Sequence, residues 1–360
     1  MSISGVRAMF EMAQGMKHPI DLSLGMPDYD PPASVRNAAI AAIRKGYNKY
    51  TPTSGILSLR ERIAQKLKEE NRVHTVADNV LVTCAVSGAL SIILTTLVDA
   101  GDEVILFDPY FVGYQQLILQ NGGVPVYVKT DEHFQPDLVD LGRKLTKRTV
   151  AILINSPNNP TGAVYSRKTL QAIAKIAASK KIPVVSDEIY EKFCYDAKHV
   201  SIASMYDRTI VVNGLSKSHG ITGWRIGYCA GPAEIINQAR KVQQYSFVCA
   251  PSPFQYAALA AFDCSVTKHV AAYRKHRDVF FSAIKKVFPI QKSQGAFYAF
   301  IPYPYEGDRF MKQCIAHELL VVPGKVFSQN NIHFRASFAA KNRVLRAAGR
   351  LLCEIARSDA

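Results

Sequence analysis

Between residues 80 and 230 the chain repeats one pattern: a short run rich in Val and Ile, then a longer helical stretch. This alternation limits the possible folds more than any other feature. The strand-like runs are Val80–Thr83, Glu103–Phe107, Val124–Val128, Val150–Ile154, Pro183–Ser186, Thr209–Val212 and Arg225–Cys229. Most lack strict apolar–polar alternation, as expected of strands covered on both faces. Helical stretches at Ser87–Val98, Phe111–Gln120 and Ser166–Ser179 lie between several of them. The order predicts an α/β fold, with a mostly parallel sheet and helices on both of its faces.

Past residue 265 the pattern changes. A basic helix over about His269–Val287 precedes a strand at Gly295–Ile301 and a helix near Asp308–Leu319. Short strands at Leu320–Val322 and His333–Ser337, then a helix from about Lys341, complete a smaller α+β domain. The expected division is 46–264 for the large domain and 265–360 for the small one. Residues 1–45 are expected to lack a sheet of their own and to pack on the small domain.

A chain of 360 residues buries enough surface to need no disulfide or metal staple. Its seven Cys, an odd number without any CxxC pair, argue against a disulfide framework and a zinc site. The N-terminus has no apolar signal-peptide core, and Ala89–Val98 is far shorter than a membrane span of about 20 residues. A cytoplasmic protein with no membrane partner is expected. The net charge of +15 raises the question of a polyanion partner, and Ala261–Ala360 alone holds 16 Lys+Arg against 7 Asp+Glu. A solvated basic face is the simpler reading of that excess.

Polar residues gather where predicted strands end, the edge at which open α/β sheets bind ligands. They lie in the turn after Thr83 and in INSPNNPTG (Ile154–Gly162), SDEIY (Ser186–Tyr190) and NGLSKSHGITGWRIGY (Asn213–Tyr228). Alone, each is compatible with a plain turn, a helix cap or a surface lysine. In this order, however, NxPxNPTG, SDEIY and SKxxGxTGWRxGY resemble the class I/II aminotransferases that use pyridoxal 5′-phosphate. The subgroup most resembled contains the bacterial aspartate, aromatic and kynurenine aminotransferases. DLSLGMPDYDPP (Asp21–Pro32), YTPTSGILSLRERIA (Tyr50–Ala64), GDEVILFDPYFVGY (Gly101–Tyr114), GAFYAF, VVPGKVF and HFRASFA extend the resemblance over nearly the whole chain. It implies the fold type I architecture of pyridoxal-phosphate-dependent transferases.

The resemblance implies roles residue by residue. Lys217 is the amine that holds the cofactor as a Schiff base and then moves the substrate proton, which requires a depressed pKa. Asp187 pairs with the pyridine nitrogen; Glu188 competes by residue type only. Tyr190 and the Asn159 amide hydrogen-bond the phenolic oxygen, and Phe111 stacks on the ring. Val86 and Ser87 at a helix start, with Ser216 and Arg225, hold the phosphate, and Tyr50 reaches it from the neighbouring subunit of a homodimer. Arg335 binds the substrate α-carboxylate, helped by Asn159 and the Gly25 backbone.

Two positions depart from the family pattern. Ala85 stands where Gly is frequent, and Gly214 stands where a hydroxyl residue is common three positions before the lysine. The implied reaction moves an amino group from an L-amino acid, of aspartate or aromatic type, to a 2-oxo acid such as 2-oxoglutarate. Two alternatives share parts of the pattern. A carbon–sulfur β-lyase uses the same lysine, aspartate and arginine. An aminotransferase-like regulator would carry a winged helix before the opening loop, and no nucleic-acid-binding motif is present.

Overall fold

The computed structural model describes residues 15–358 together with Gly5, Met9 and Glu11. Its centre is a seven-stranded sheet formed by β2 (Val80–Cys84), β3 (Glu103–Phe107), β4 (Val124–Val128), β5 (Thr149–Asn155), β6 (Val184–Asp187), β7 (Thr209–Gly214) and β8 (Ile226–Ala230). The spatial order is β2-β8-β7-β6-β5-β3-β4. Strand β8 runs antiparallel to both neighbours, and the other adjacent pairs are parallel. Strands β3, β5, β6 and β7 are almost wholly buried, which is why their sequences are continuous in Val, Ile and Leu.

Helices cover both faces. On one side α3 (Ala85–Leu97), α4 (Val112–Gln120) and α7 (Ala233–Ser246) pack around Leu90, Ile93, Ile118 and Ile236. On the other, α2 (Leu57–Asn71) and α8 (Ser252–Phe262) pack around Leu59, Ile63 and Ala258, and α6 (Arg167–Lys180) around Leu170 and Ile173. Helix α6 begins where Ser166 accepts a hydrogen bond from the Thr169 N–H, a side-chain N-cap one residue before the helix. Helix α5 (Leu138–Lys144) is capped in the same way by Asp137.

The C-terminal part is built on a three-stranded antiparallel sheet of β9 (Tyr298–Pro302), β11 (Val322–Pro323) and β12 (His333–Ser337). Helices α9 (Thr267–Ile284), α10 (Gly307–Ala316) and α11 (Asn342–Ser358) share one aromatic-rich core with it. In α11 the residues Leu345, Ala348, Leu352 and Ile355 are buried at helical spacing, while Arg343, Arg346 and Arg350 are exposed. On α9, Lys268, Arg274 and Lys275 are likewise exposed. The basic excess of the last hundred residues is therefore largely the solvent face of two amphipathic helices. No helix among the described residues is long and apolar enough to cross a membrane.

The opening segment differs from expectation. Residues Ile20–Asp21 form a short strand, β1, which pairs in parallel with β10 (Leu319–Leu320). The segment does take part in a sheet, a pairing 299 residues away in register that no local pattern announces. Helix α1 (Ala33–Arg44) packs instead against α8. Strand β9 also begins three residues later than Gly295, because Ala296 adopts a left-handed backbone, φ 51°, just before it.

The antiparallel course of β8 positions the ligand edge. Its N-terminal end, preceded by Arg225, lies at the same edge as the C-terminal ends of β5, β6 and β7. Gly227 pairs with Thr83 on one side and Gly214 on the other. A Cβ at Gly227 would fall 2.5 Å from the Ala85 carbonyl carbon and 2.7 Å from the Val86 nitrogen. The turn into α3 therefore rests directly on the Gly227 backbone. Gly227→Ala is expected to lower stability by roughly 1–3 kcal/mol through overpacking against backbone. An unchanged denaturant midpoint would show that this turn is free to move.

Candidate active site

A cavity of about 500 Å³ opens at this edge. Its wall includes Gly25, Val86, Ser87, Phe111, Asn159, Asp187, Tyr190, Ser216, Lys217, Arg225 and Arg335. Eleven of the twelve residues singled out from sequence thus meet in one place. The exception is Tyr50, which is 83% exposed and lies outside the cavity of its own chain.

Lys217 follows β7, and its Nζ donates to the Gly25 carbonyl at 2.6 Å. Burial pushes its pKa down to about 8, assisted by the positive charges of Arg335 and Arg225 and opposed by Asp187. Asp187 ends β6. Its carboxylate accepts from the Tyr114 hydroxyl at 2.8 Å and from the Ile189 N–H at 3.1 Å. Burial nevertheless raises its pKa to about 6, and the two donors only partly offset that rise. A carboxylate this deeply desolvated is poised to pair with a cation inside the cavity.

The neighbouring Glu188 faces away. It accepts from Ser186 and Ser201 and pairs with His199 at 3.0 Å, all on the far side of the strand end. The pleat alone separates the two acids: adjacent residues at a strand end point to opposite faces. Tyr190 follows in two successive turns rather than a helix, closed by Glu191 N–H to Glu188 O and Phe193 N–H to Tyr190 O. Its hydroxyl lies 2.8 Å from that of Tyr298.

Arg335 is 2% exposed on β12. One Nη donates to the Asn159 Oδ1 at 2.9 Å and the other to the Ser23 carbonyl. Gly25, expected beside it, instead gives its carbonyl to Lys217. The guanidinium lies 4.6 Å from the ring centroids of both Tyr298 and Phe327. Its Nε has no partner, and no carboxylate pairs with it among the described residues. A buried guanidinium held by neutral groups retains its capacity for an anion.

The start of α3 is a second anion-binding feature. Cys84 at the N-cap makes no side-chain hydrogen bond to the helix, which leaves the N–H groups that follow Ala85 without a side-chain cap beside Ser87. Arg225 stands opposite, its carbonyl accepting from the Ala85 N–H at 3.1 Å. Ala85 has φ 61°, the left-handed region that favours Gly, which accounts for the family preference from which this chain departs. The Gly214 departure has a steric reason as well: a Cβ there would lie 3.0 Å from the Ile226 carbonyl oxygen. Phe111 is the N-cap of α4, half-buried at the cavity wall and edge-on to Tyr114 at 5.4 Å.

A family model for aminotransferases of class I and II matches residues 17–351. The chain belongs to this family. The aminotransferase is 39% identical to a probable aspartate aminotransferase of Methanocaldococcus jannaschii, over 98% of its own length and 96% of the relative's. It is 35% identical to aromatic-amino-acid aminotransferase 2 of Thermococcus litoralis, with 96% and 93% of the two chains covered. Its fold matches the aspartate aminotransferase from Thermus thermophilus with maleate at a TM-score of 0.95 and 34% identity, covering 99% and 97%. The chain is thus a transferase that moves amino groups between amino acids and 2-oxo acids, and these relationships do not favour the carbon–sulfur lyase.

Tyr114 and Tyr298 are among the cavity residues that the sequence did not single out. Tyr114 lies three positions after Phe111 on α4, a spacing that brings both to one helix face. Tyr298 lies within GAFYAF, where nothing distinguishes a site residue from a core aromatic. The depressed Lys217 pKa sets a measurable expectation. In the cofactor-free aminotransferase, the rate of reductive methylation at Lys217, followed by peptide mass spectrometry, should reach half its maximum near pH 8. An ordinary lysine would be under about 1% neutral there. A half-maximum above pH 10 would mean the amine is not desolvated.

Proposed function

We propose that this aminotransferase binds pyridoxal 5′-phosphate in the 500 Å³ cavity and acts on L-amino acids of aspartate or aromatic type. The 2-oxo acid acceptor is of the 2-oxoglutarate kind. The observation that carries the reading is the convergence of a partly neutral amine, a buried carboxylate and an acid-free buried guanidinium on one cavity. That donor set fits the cofactor's aldehyde, ring nitrogen and phosphate together with a substrate carboxylate. When bound, pyridoxal 5′-phosphate supplies an aldehyde for amine exchange and a ring that accepts the electron pair released at the substrate Cα.

The chain's own residues do the rest. The N–H groups at the start of α3, with Ser87, Ser216 and Arg225, would hold the phosphate, and Val86 contributes its backbone there. Asp187 keeps a proton on the ring nitrogen, because a buried carboxylate stabilises a neighbouring cation. Tyr190 and the Asn159 amide would hydrogen-bond the ring oxygen, and Phe111 would cover one face of the ring. Arg335 binds the α-carboxylate through its planar fork and so fixes the direction of the Cα–H bond. The neutral amine of Lys217 takes the proton from Cα and returns one to the cofactor side, as base and then as acid.

The partner subunit's Tyr50 would complete the phosphate site, since an exposed tyrosine outside its own cavity is available to a second copy. We assign the large cofactor-binding domain to 46–264 and the small domain to 265–360. Of the opening residues 1–45, Ile20–Asp21 are tied to the small domain through the β1–β10 pair, while α1 packs on α8 of the large one.

Lys217→Ala is expected to reduce transamination by roughly 10³-fold or more, read from conversion of the bound cofactor's absorption on adding amino acid. Retention of a reducible covalent adduct in that variant would refute the assignment. Asp187 gives a test of opposite sign. Its folded-state pKa, about 6, lies above the ordinary 3.8, so its contribution to stability is complete below pH 4 and is lost as pH rises through 6. At pH 7.5, Asp187→Asn should therefore stabilise the cofactor-free protein by about 1–3 kcal/mol. The same change should lower the loaded enzyme's kcat at least tenfold. Loss of stability on that substitution would show that the carboxylate is not strained in the fold.

A further inference from the structure

Tyr298 has no part in the scheme above, yet it touches three of its members. It opens β9, is 1% exposed, and lies diagonally across the β9–β12 ladder from Arg335, whose direct partner is Phe300. The Arg335 guanidinium sits 4.6 Å from its ring centroid. Its hydroxyl is 2.8 Å from the Tyr190 hydroxyl, with the two rings nearly perpendicular at 5.7 Å. It is also pressed against the loop that crosses the cavity: a Cβ built on Gly25 would fall 1.8 Å from the Tyr298 oxygen. The hydroxyl is thus enclosed by the Gly25 backbone, with Tyr190 as its hydrogen-bond partner.

Two phenols facing each other share one hydrogen bond, and the more acidic of the pair donates. The charges around them are unequal. Tyr298 lies under the Arg335 cation, whereas Tyr190 feels the negative charge of Asp187 as well. The Arg335 cation favours release of the Tyr298 proton, and the Tyr298 hydroxyl, shut in by the Gly25 backbone, has the Tyr190 oxygen as its hydrogen-bond partner. At 2.8 Å either hydroxyl can donate, and the Arg335 cation beside Tyr298 favours the arrangement in which the Tyr298 O–H bonds the Tyr190 oxygen.

We propose that Tyr298 is a positioning residue for this aminotransferase: by donating to the Tyr190 oxygen it leaves the Tyr190 proton turned into the cavity. This also makes Tyr190 a stronger donor, because a phenol that accepts a hydrogen bond gives up its own proton more readily. The chain Arg335–Tyr298–Tyr190 links the group that binds the substrate carboxylate to the group that faces the cofactor's ring oxygen. The inference rests on the proposed role of Tyr190.

The test uses the cofactor-loaded enzyme and the pH midpoint of its visible absorption. A donor to the ionised ring oxygen favours loss of the proton that this oxygen otherwise shares, so a weaker donor moves the midpoint up. Tyr298→Phe keeps the ring over Arg335 and should raise the midpoint by about 0.5–1 pH unit, the size of one hydrogen bond. Tyr190→Phe, measured alongside, should raise it at least as far. If Tyr190→Phe shifts the midpoint and Tyr298→Phe does not, the relay is wrong. If neither variant shifts it, Tyr190 does not face the ring oxygen, and the reading on which the inference rests falls with it. Restoring the bond strength with an acidified residue, 3-fluorotyrosine at 298, should return the midpoint to or below that of the native enzyme. A 3-fluorotyrosine enzyme that behaves like Tyr298→Phe would count against the inference.

Discussion

The arrangement depends on keeping one amine partly uncharged. An ammonium on Lys217 would sit on a desolvated wall beside two guanidiniums, Arg225 and Arg335, with only Asp187 to compensate. Burial and like charge act in the same direction, and together they bring the amine into the range where a nucleophile is available near neutral pH. Neither effect belongs to Lys217 itself. The amine lies at the end of β7, Arg225 at the start of β8, and Arg335 on β12 of the other sheet. Any shift of these three elements relative to one another would change the charge on the lysine.

The sheet topology makes that convergence possible. Parallel strands deliver their C-terminal ends to one edge, which accounts for Asn159, Asp187 and Lys217. Arg225 precedes its strand and arrives at the same edge only because β8 runs the other way. The reversal inserts a strand between β7 and β2 that must lie close to the Ala85–Val86 turn, and a glycine at 227 meets that requirement. The start of α3 is thereby held against the Arg225 backbone, whose carbonyl accepts from the Ala85 N–H. The left-handed Ala85 is a consequence of the same closeness.

Much of this was legible in the sequence because the information is local. Runs such as Glu103–Phe107 and His333–Ser337 begin and end in the structure where their β-branched and aromatic residues do. The site residues announced themselves through short motifs at strand ends, where backbone and chemistry are encoded together. What stayed hidden depends on contacts between distant segments. The β1–β10 pair joins residues about 300 positions apart, and two-residue strands carry no periodicity. Tyr114 and Tyr298 reach the cavity from a helix and a strand whose apolar patterns mark them only as core. The resemblance had already chosen Asp187 over Glu188, and the pleat supplies the physical reason: it puts one acid in the cavity and gives the other to Ser186, Ser201 and His199.

The cavity's electrostatics bear on the charge excess of the whole chain. Its wall carries Lys217, Arg225 and Arg335 against the single acid Asp187. Without an anion the balance is unfavourable, and the perturbed pKa values of Lys217 and Asp187 measure how far the fold departs from what each group would choose in water. A phosphate and a carboxylate reverse that balance, so their binding free energy includes relief of repulsion already present in the empty cavity. Ligand binding then stabilises the native state by mass action in addition to enabling chemistry. The exposed arginines of α9 and α11 act differently. They are solvated and screened beyond about 8–10 Å at physiological salt, so they contribute to the long-range potential and not to the affinity of the site. The basic groups on the cavity wall, Arg335, Arg225 and Lys217, and not the net charge of +15, determine which ligands this chain can hold.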